Sequence, residues 1–420
     1  MILNRLGTFH GAPYRYINYL KDNPDTVIRW FHLHGDPMIE SLMSELELLG
    51  LNNILFYSLT EATSNKLRLA QRIALFTKRN NILQNRLGVA LLRIYLRSIR
   101  VNRNLLALFK EEVDLTWCGN NDLDYSLTFL AWIKLKLPHL FIHYSYKEHR
   151  CTFRLDESLG LSLADGLIIP SKSSLLALNE VYKTDFSAKT FYADEDWRSR
   201  SISEFVRENK KIKLSKEDEC PHVIILTRYA EYGNQVDPRR GSRINFLRIM
   251  KVFAEKGLKI HLKSMCICDN IGGVCMTENT PYHDLKIKYP DNIFIEEPIS
   301  LNRDADYLDL SVYDFGIIHN YEEGEATNSF SRINIPNRLF EYYASGVMPI
   351  VLRNTLMEVE QIIEDSNFGL IVDNYKEAAS KMNDFIRNDY SSEQAFVYEN
   401  SFETFMMVLL RGNNNLNKNR

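Results

Sequence analysis

Two arginines and one glutamate are the residues of this sequence whose types and spacing could do chemistry. Arg228 closes the apolar run VIILTR at 223 to 228, and Arg240 with Gly241 stands just ahead of the next helical pattern. Guanidinium groups fixed at a strand end and a helix N-terminus can neutralise the charge that develops on a diphosphate leaving group, without Mg2+. Glu341 lies in IPNRLFEYYASG, where Pro336 suits the first turn of a helix and Glu341 falls about a turn and a half inside it. A carboxylate there can accept both hydroxyls of a ribose, the usual task of an acid in a nucleotide-binding α/β domain. Gly346, ahead of Met348-Pro349-Ile350, would let the chain turn sharply from that helix into a strand.

The elements that must hold these residues read as two doubly wound α/β domains. In the first half, apolar strand patterns at 27–34, 53–59, 113–118, 139–146 and 166–171 alternate with helical ones. The second half restarts with 223–228, 260–265, 292–297, 315–320 and 348–352. Between Asp194 and Glu219 the sequence becomes charged and loses its apolar period, as a linker or exposed helix would. The expected organisation is a first doubly wound domain over 1–210, a second over 218–390, and a terminal helix with a polar tail over 391–420. Two such domains would face a central cleft, with the carboxyl ends of both sheets around it. A chain of 420 residues is the right length for that pair.

Composition narrows the class further. Hydrophobic residues at 45% and charged residues at 25% are ordinary globular values. The start of the chain lacks a long apolar stretch behind basic residues, and nowhere do eighteen apolar residues run uninterrupted by charge, so neither export nor a membrane span is expected. Six cysteines do not form a disulfide framework and read as thiols. Cys266, Cys268 and Cys275 lack a convincing fourth zinc ligand. Asp122-Leu-Asp124, Asp194-Glu-Asp196 and Asp304-Ala-Asp306 fit a metal-holding DxD pattern but not its placement, so no metal site is expected. Asp314-Phe315-Gly316 imitates a kinase motif without its companions.

The formal charge of −3 hides an asymmetry: residues 62–110 hold eleven Lys and Arg and no Asp or Glu. Cations interleaved with Leu, Ile and Phe at helical spacing suit helices lying on an anionic membrane surface. Ordinary solvated amphipathic helices give the same pattern. Nucleic acid is not expected as a partner, because single-strand binding would use stacking aromatics.

The segment Ile335–Asp373 resembles the donor-binding signature of the family-4 retaining glycosyltransferases of the GT-B fold, usually written PxKLxEYxAxGxPVV with a GLLVD-like strand after it. Pro336, Asn337, Arg338, Leu339, Glu341, Tyr342, Ala344, Gly346 and Pro349 fall in step, and Phe368 to Asp373 follows at the expected distance. The resemblance extends more weakly over 220–390 and faintly across the first domain. It implies that the domain over 1–210 binds the acceptor and the one over 218–390 the nucleotide sugar, that Arg228 and Arg240 face the donor diphosphate, and that Asn337, Arg338 and Glu341 belong to the donor site. It also implies that Gly11, in Gly7-Thr8-Phe9-His10-Gly11, approaches the diphosphate and acceptor, and that a cleft-facing His ends a first-domain strand, with His143 as the candidate. The family's Glu-x7-Glu is broken here. Ile333 stands where its first acid would be, and Glu322, Glu323 and Glu325 lie in the preceding loop.

The resemblance implies a metal-independent transferase moving a sugar with retention from a nucleotide-sugar substrate, most commonly a UDP-sugar, to a glycan or lipid-linked acceptor. No cofactor is required. Cell-surface polysaccharide or glycolipid synthesis at the inner face of the membrane, by a cytoplasmic protein, is the expected setting. Two alternatives stand beside it: a nucleotide-sugar 2-epimerase on the same architecture, and a degenerate, non-enzymatic partner in a membrane-associated assembly complex.

Overall fold

The computed structural model describes residues 2–6, 16, 19–20, 22–35, 43, 52–75, 82–109, 115–119, 126–145, 153–194, 197–209, 211–233, 244–269, 273–299, 301, 304–319, 333–387 and 401–408. The chain divides into two compact units, Met1–Ser199 with Asn400–Arg420, and Arg200–Glu399.

The first unit is built on a seven-stranded, all-parallel sheet in the order β3-β2-β1-β4-β5-β6-β7. Its strands are β1 (Ile2–Leu6), β2 (Val27–His32), β3 (Ile54–Ser58), β4 (Leu115–Gly119), β5 (His143–Ser145), β6 (Gly166–Ile169) and β7 (Thr190–Tyr192). The helices are α1 (Glu61–Leu75), α2 (Ile82–Ser98), α3 (Arg103–Leu108), α4 (Ser126–Lys136), α5 (Leu155–Leu163) and α6 (Lys172–Tyr182). α4 is apolar nearly all round, with Leu127 and Phe129 to Ile133 buried, so it forms the middle of the core rather than a surface helix. The buried Trp132 indole donates to Ile99 O at 3.3 Å, which satisfies its one polar atom. Near the end of the chain, residues 402–408 are helical and belong to this unit. Phe402 packs edge-on to Tyr16 and Tyr19, and its amide donates to Arg198 O.

The second unit has a six-stranded parallel sheet in the order β10-β9-β8-β11-β12-β13. These are β8 (His222–Glu231), β9 (Lys259–Cys268), β10 (Ile293–Glu296), β11 (Phe315–Ile318), β12 (Met348–Leu352) and β13 (Leu370–Val372). They are wound by α7 (Arg200–Asn209), α8 (Ser215–Asp218), α9 (Leu247–Glu255), α10 (Pro281–Lys288), α11 (Asp304–Leu310), α12 (Asn337–Ala344), α13 (Met357–Ser366) and α14 (Tyr375–Arg387). Each sheet starts in its middle, runs outward one way, then returns and runs the other. This creates a switch point between β1 and β4 and another between β8 and β11, and ligands of such sheets bind outside the strand carboxyl ends at that point.

Two sequence expectations need correcting. α7 was placed with the first domain or a linker, but Ile202 and Val206 are buried against Tyr307 and Ala344, which fixes the helix in the second unit. The cysteines were read as thiols, yet Cys266 and Cys275 form a disulfide. The chain returns beside the end of β9, where Met276 N donates to Ile267 O at 2.7 Å, and this brings the two sulfurs together. Cys220 and Cys268 are free thiols.

Candidate functional site

The carboxyl end of β8 is where the second sheet opens. β11 pairs with β8 only at Phe315–Val223 and Gly316–Ile224, whereas β9 follows β8 as far as Glu231. From Thr227 onward β8 therefore extends past its pairing with β11, at the switch point. Arg228 lies on this stretch, exposed, with its guanidinium 5.4 Å from the Tyr229 ring centroid. Among the described residues it has no ion pair.

α12 is anchored at the same place. The buried Tyr342 hydroxyl accepts from Leu226 N at 3.3 Å and lies within hydrogen-bond reach of Ile317 O and Ile224 O, so it bridges β8 and β11. Its ring fits because residue 316 is glycine: a Cβ there would come within 2.5 Å of the ring. Asp314 and Gly316 of the kinase-like triplet thus have structural work. Asp314 accepts from Ser215 Oγ and from His222 N.

Pro336 is the N-cap of α12 rather than its first residue, and its side chain makes no capping hydrogen bond. Such an end points amide hydrogens and the positive pole of the helix dipole outward, where an anion is stabilised. Asn337 is exposed in the first turn, Arg338 is half-buried, and Glu341, half-buried, follows as the fifth helical residue. The helix ends in a Schellman motif in which Val347 N donates to Tyr342 O and Gly346 N to Tyr343 O. Gly346 takes the left-handed conformation this demands, with φ +63°. Through Tyr342, the strand carrying Arg228 and the helix carrying Asn337, Arg338 and Glu341 are held together.

Other sequence candidates fare differently. His143 opens β5 at its amino end and is fully buried, its ring between Phe141 and Phe191 and so close to Gly166 that a Cβ there would lie 2.4 Å from Nδ1. Neither ring nitrogen has a hydrogen-bond partner among the described residues, and burial pulls its pKa down to about 4 against the pull of Asp165. The cleft-facing role is therefore corrected: His143 is a neutral core histidine. Gly11, Arg240, Glu322, Glu323 and Glu325 lie outside the described residues, while Ile333 is described and half-buried. Sequence reading passed over His319, buried just past the carboxyl end of β11 with Nδ1 2.5 Å from the Tyr375 hydroxyl. Its place directly after an apolar run at the switch point was the available signal. Among the described residues no cluster of three His, Cys, Asp or Glu could hold a metal, and no helix is long and apolar enough to cross a membrane.

Residues 286–403 match the family described as Glucosyltransferase 3-like, C-terminal domain. This span contains the whole segment Ile335–Asp373. No curated protein matches the sequence. Among solved structures, the N-terminal domain of trehalose-6-phosphate phosphatase from Candida albicans is similar at 14% identity, covering 98% of this chain and 96% of that one, with a TM-score of 0.56. A UDP-GlcNAc 2-epimerase from Neisseria meningitidis, bound to UDP-GlcNAc, is similar at 12% identity over 98% and 100% of the chains, TM-score 0.53. A glycosyltransferase from Rickettsia africae is similar at 13% identity over 100% and 97%, TM-score 0.51. At such identities the likeness is one of fold. The expected α/β class, two doubly wound parallel sheets of the GT-B type, is the class found.

Proposed function

We propose that the chain is a glycosyltransferase that transfers a sugar from a nucleotide-sugar donor, UDP-linked in the first instance, to a glycan or lipid-linked acceptor. The observation that supports this most is the switch point of the second unit. There an exposed arginine on β8 and the N-terminus of α12 stand at the strand ends, pinned together by Tyr342. This arrangement suits a diphosphate whose negative charge grows as the sugar leaves, and the proposal gives Glu341 the task of accepting ribose hydroxyls. The reading includes retention, with the departing phosphate taking the acceptor proton on the same face, so no protein base is named.

The test is slow hydrolysis of a panel of nucleotide sugars, followed in EDTA and then with Mg2+ or Mn2+ restored. Turnover that survives chelation is expected; complete loss with recovery on adding metal overturns the cationic reading. A C2 epimer formed from donor alone would assign the chain to the epimerase class instead. Glu341→Gln should raise KM for the donor about tenfold with kcat little changed, because ribose contacts act equally on substrate and transition state. A fall in kcat at unchanged donor affinity would place Glu341 on the sugar or leaving group.

A further inference from the structure

α1 and α2 each have two apolar faces, although a surface helix ordinarily needs one. The inner faces, with Leu67, Ala70 and Ala74 on α1 and Leu92, Leu96 and Ile99 on α2, are buried in the core of the first unit. The outer faces carry Leu69 and Ile73 on α1, and Leu87, Leu91 and Ile94 on α2. Each of these five keeps between 45 and 65% of its surface exposed. The spacing i, i+4, i+7 lines them along each helix as a stripe.

The two stripes flank one seam. Tyr95 Oη donates to Lys66 O at 3.4 Å, Tyr95 being next to Ile94 and Lys66 one turn before Leu69. Cations border the patch: Lys66 and Arg72 on α1, Arg86 and Arg97 on α2, and Arg100 two residues past its end, all exposed. On α2, Arg86 and Arg97 fall on one flank of the stripe. None of the five has an ion pair among the described residues, and residues 62–110 contain no acid to supply one locally.

We propose that this outer face of α1 and α2 lies on an anionic membrane surface, with the leucine and isoleucine stripes at the headgroup–acyl boundary and the bordering cations among the lipid phosphates. Long basic side chains can lay their stems along the apolar patch while the charged ends reach the headgroups. Charge selects lipid over the other occupants. A second copy docking the same patch on itself would bring like charges together across a twofold axis. Nucleic acid would meet aliphatic side chains where stacking aromatics are needed. The patch lies in the first unit, whereas the donor site proposed above lies in the second, so this inference stands independently of that reading.

Flotation of the full chain tests it without any donor, using vesicles of phosphatidylcholine alone and of phosphatidylcholine mixed with phosphatidylglycerol. Binding to the anionic vesicles only, weakening as salt shortens the screening length from about 10 Å at 0.1 M to about 3 Å at 1 M, is expected. Replacing Arg86, Arg97 and Arg100 by Glu should lower partitioning at least tenfold, since each engaged cation contributes about fivefold. Replacing Leu87, Leu91 and Ile94 by Ser should lower it about tenfold by removing the inserted surface. Unchanged thermal unfolding shows that each variant is folded. The inference is overturned if wild type does not float, if neutral and anionic vesicles bind alike, or if either folded variant floats as well as wild type. It is also overturned if sedimentation shows a wild-type dimer that the serine variant dissociates.

Discussion

The second unit contains two polar regions on the same sheet, and they are built in opposite ways. One begins at the amino end of β8 and crosses the face of β8, β9 and β10. Asp218 is joined to His222, His222 to His261 and His261 to Glu296 at 2.9–3.0 Å. Lys259 pairs with Asp218, Lys263 pairs with Glu296, and the Tyr313 hydroxyl donates to Glu296. A cavity of about 750 Å³ opens beside this network. The other region is the carboxyl end of β8, where Arg228 is exposed without an ion pair among the described residues and Pro336 gives α12 no side-chain cap. This cavity lies beside charges that already answer one another. Polar groups that satisfy each other hold strands together, whereas cations and amides left facing outward await a ligand.

This contrast makes its strongest prediction at Arg228. Arg228→Ala should lower kcat for donor hydrolysis about 10²-fold or more, the loss typical of a transition-state charge stabiliser. Its melting temperature should stay within error of wild type, because an exposed side chain of this kind contributes little to stability. Glu296→Ala should do the reverse, lowering the melting temperature with kcat nearly unchanged. If both variants lose activity in proportion to stability, the two regions do not divide the work as stated.

A smaller effect is expected where the regions share a support. Gly316→Ala would press a methyl group into the buried Tyr342 ring, which has no free space to retreat. Overpacking of this kind costs about 1–3 kcal/mol. Because Tyr342 also pins α12 to β8, KM for donor should rise in the same variant. A chemical denaturation midpoint unchanged from wild type would show that the ring relaxes and that Tyr342 is no pin.

Helix α12 was legible in the sequence because its determinants are local: Pro336 ahead of the first turn, Gly346 after the last, apolar residues at helical spacing between. Most strands were legible as apolar runs for the same reason. β1 was not, since Asn4 and Arg5 interrupt a run of five, and β7 is only three residues long. Features fixed by distant parts of the chain stayed hidden. The strand pattern of HLFIHYSY does not tell that His143 faces Gly166 and two phenylalanines. Nor does the spacing of Cys266 and Cys275 tell that the chain folds back to join them. The saturated network also escaped notice, because Asp218, His222, His261 and Glu296 come together only when β8, β9 and β10 align.

The smallest expected effect is on acid stability, to which the saturated region contributes alongside the buried His143 of the first unit. Burial would raise the Glu296 carboxyl, but hydrogen bonds from His261 and Lys263 outweigh it and hold Glu296 down at about 2. Asp218 is likewise raised by burial and brought down to about 2 by its bonds from Lys259 and His222. Burial pulls His222 below the ordinary histidine value despite the bond to Asp218. In the unfolded chain the carboxyls titrate near about 4 and histidine near about 6.5. The folded protein therefore binds fewer protons than the unfolded chain in both windows, and stability must fall as pH falls. The decline should begin below about pH 6.5, from His143 and His222, and continue between about 4.5 and 2 as the two carboxylates protonate. Solvent reaches both carboxylates in part, which keeps the effect small. Thermal unfolding of wild type and Glu296→Gln from pH 7 down to 2 reads it directly. The variant should start from a lower melting temperature at pH 7 and lose less of it across the acid window, so the two curves converge. Curves that run parallel down to pH 2 would mean that Glu296 carries no acid-sensitive stability, and the network would then be an accident of packing rather than the brace between β8, β9 and β10.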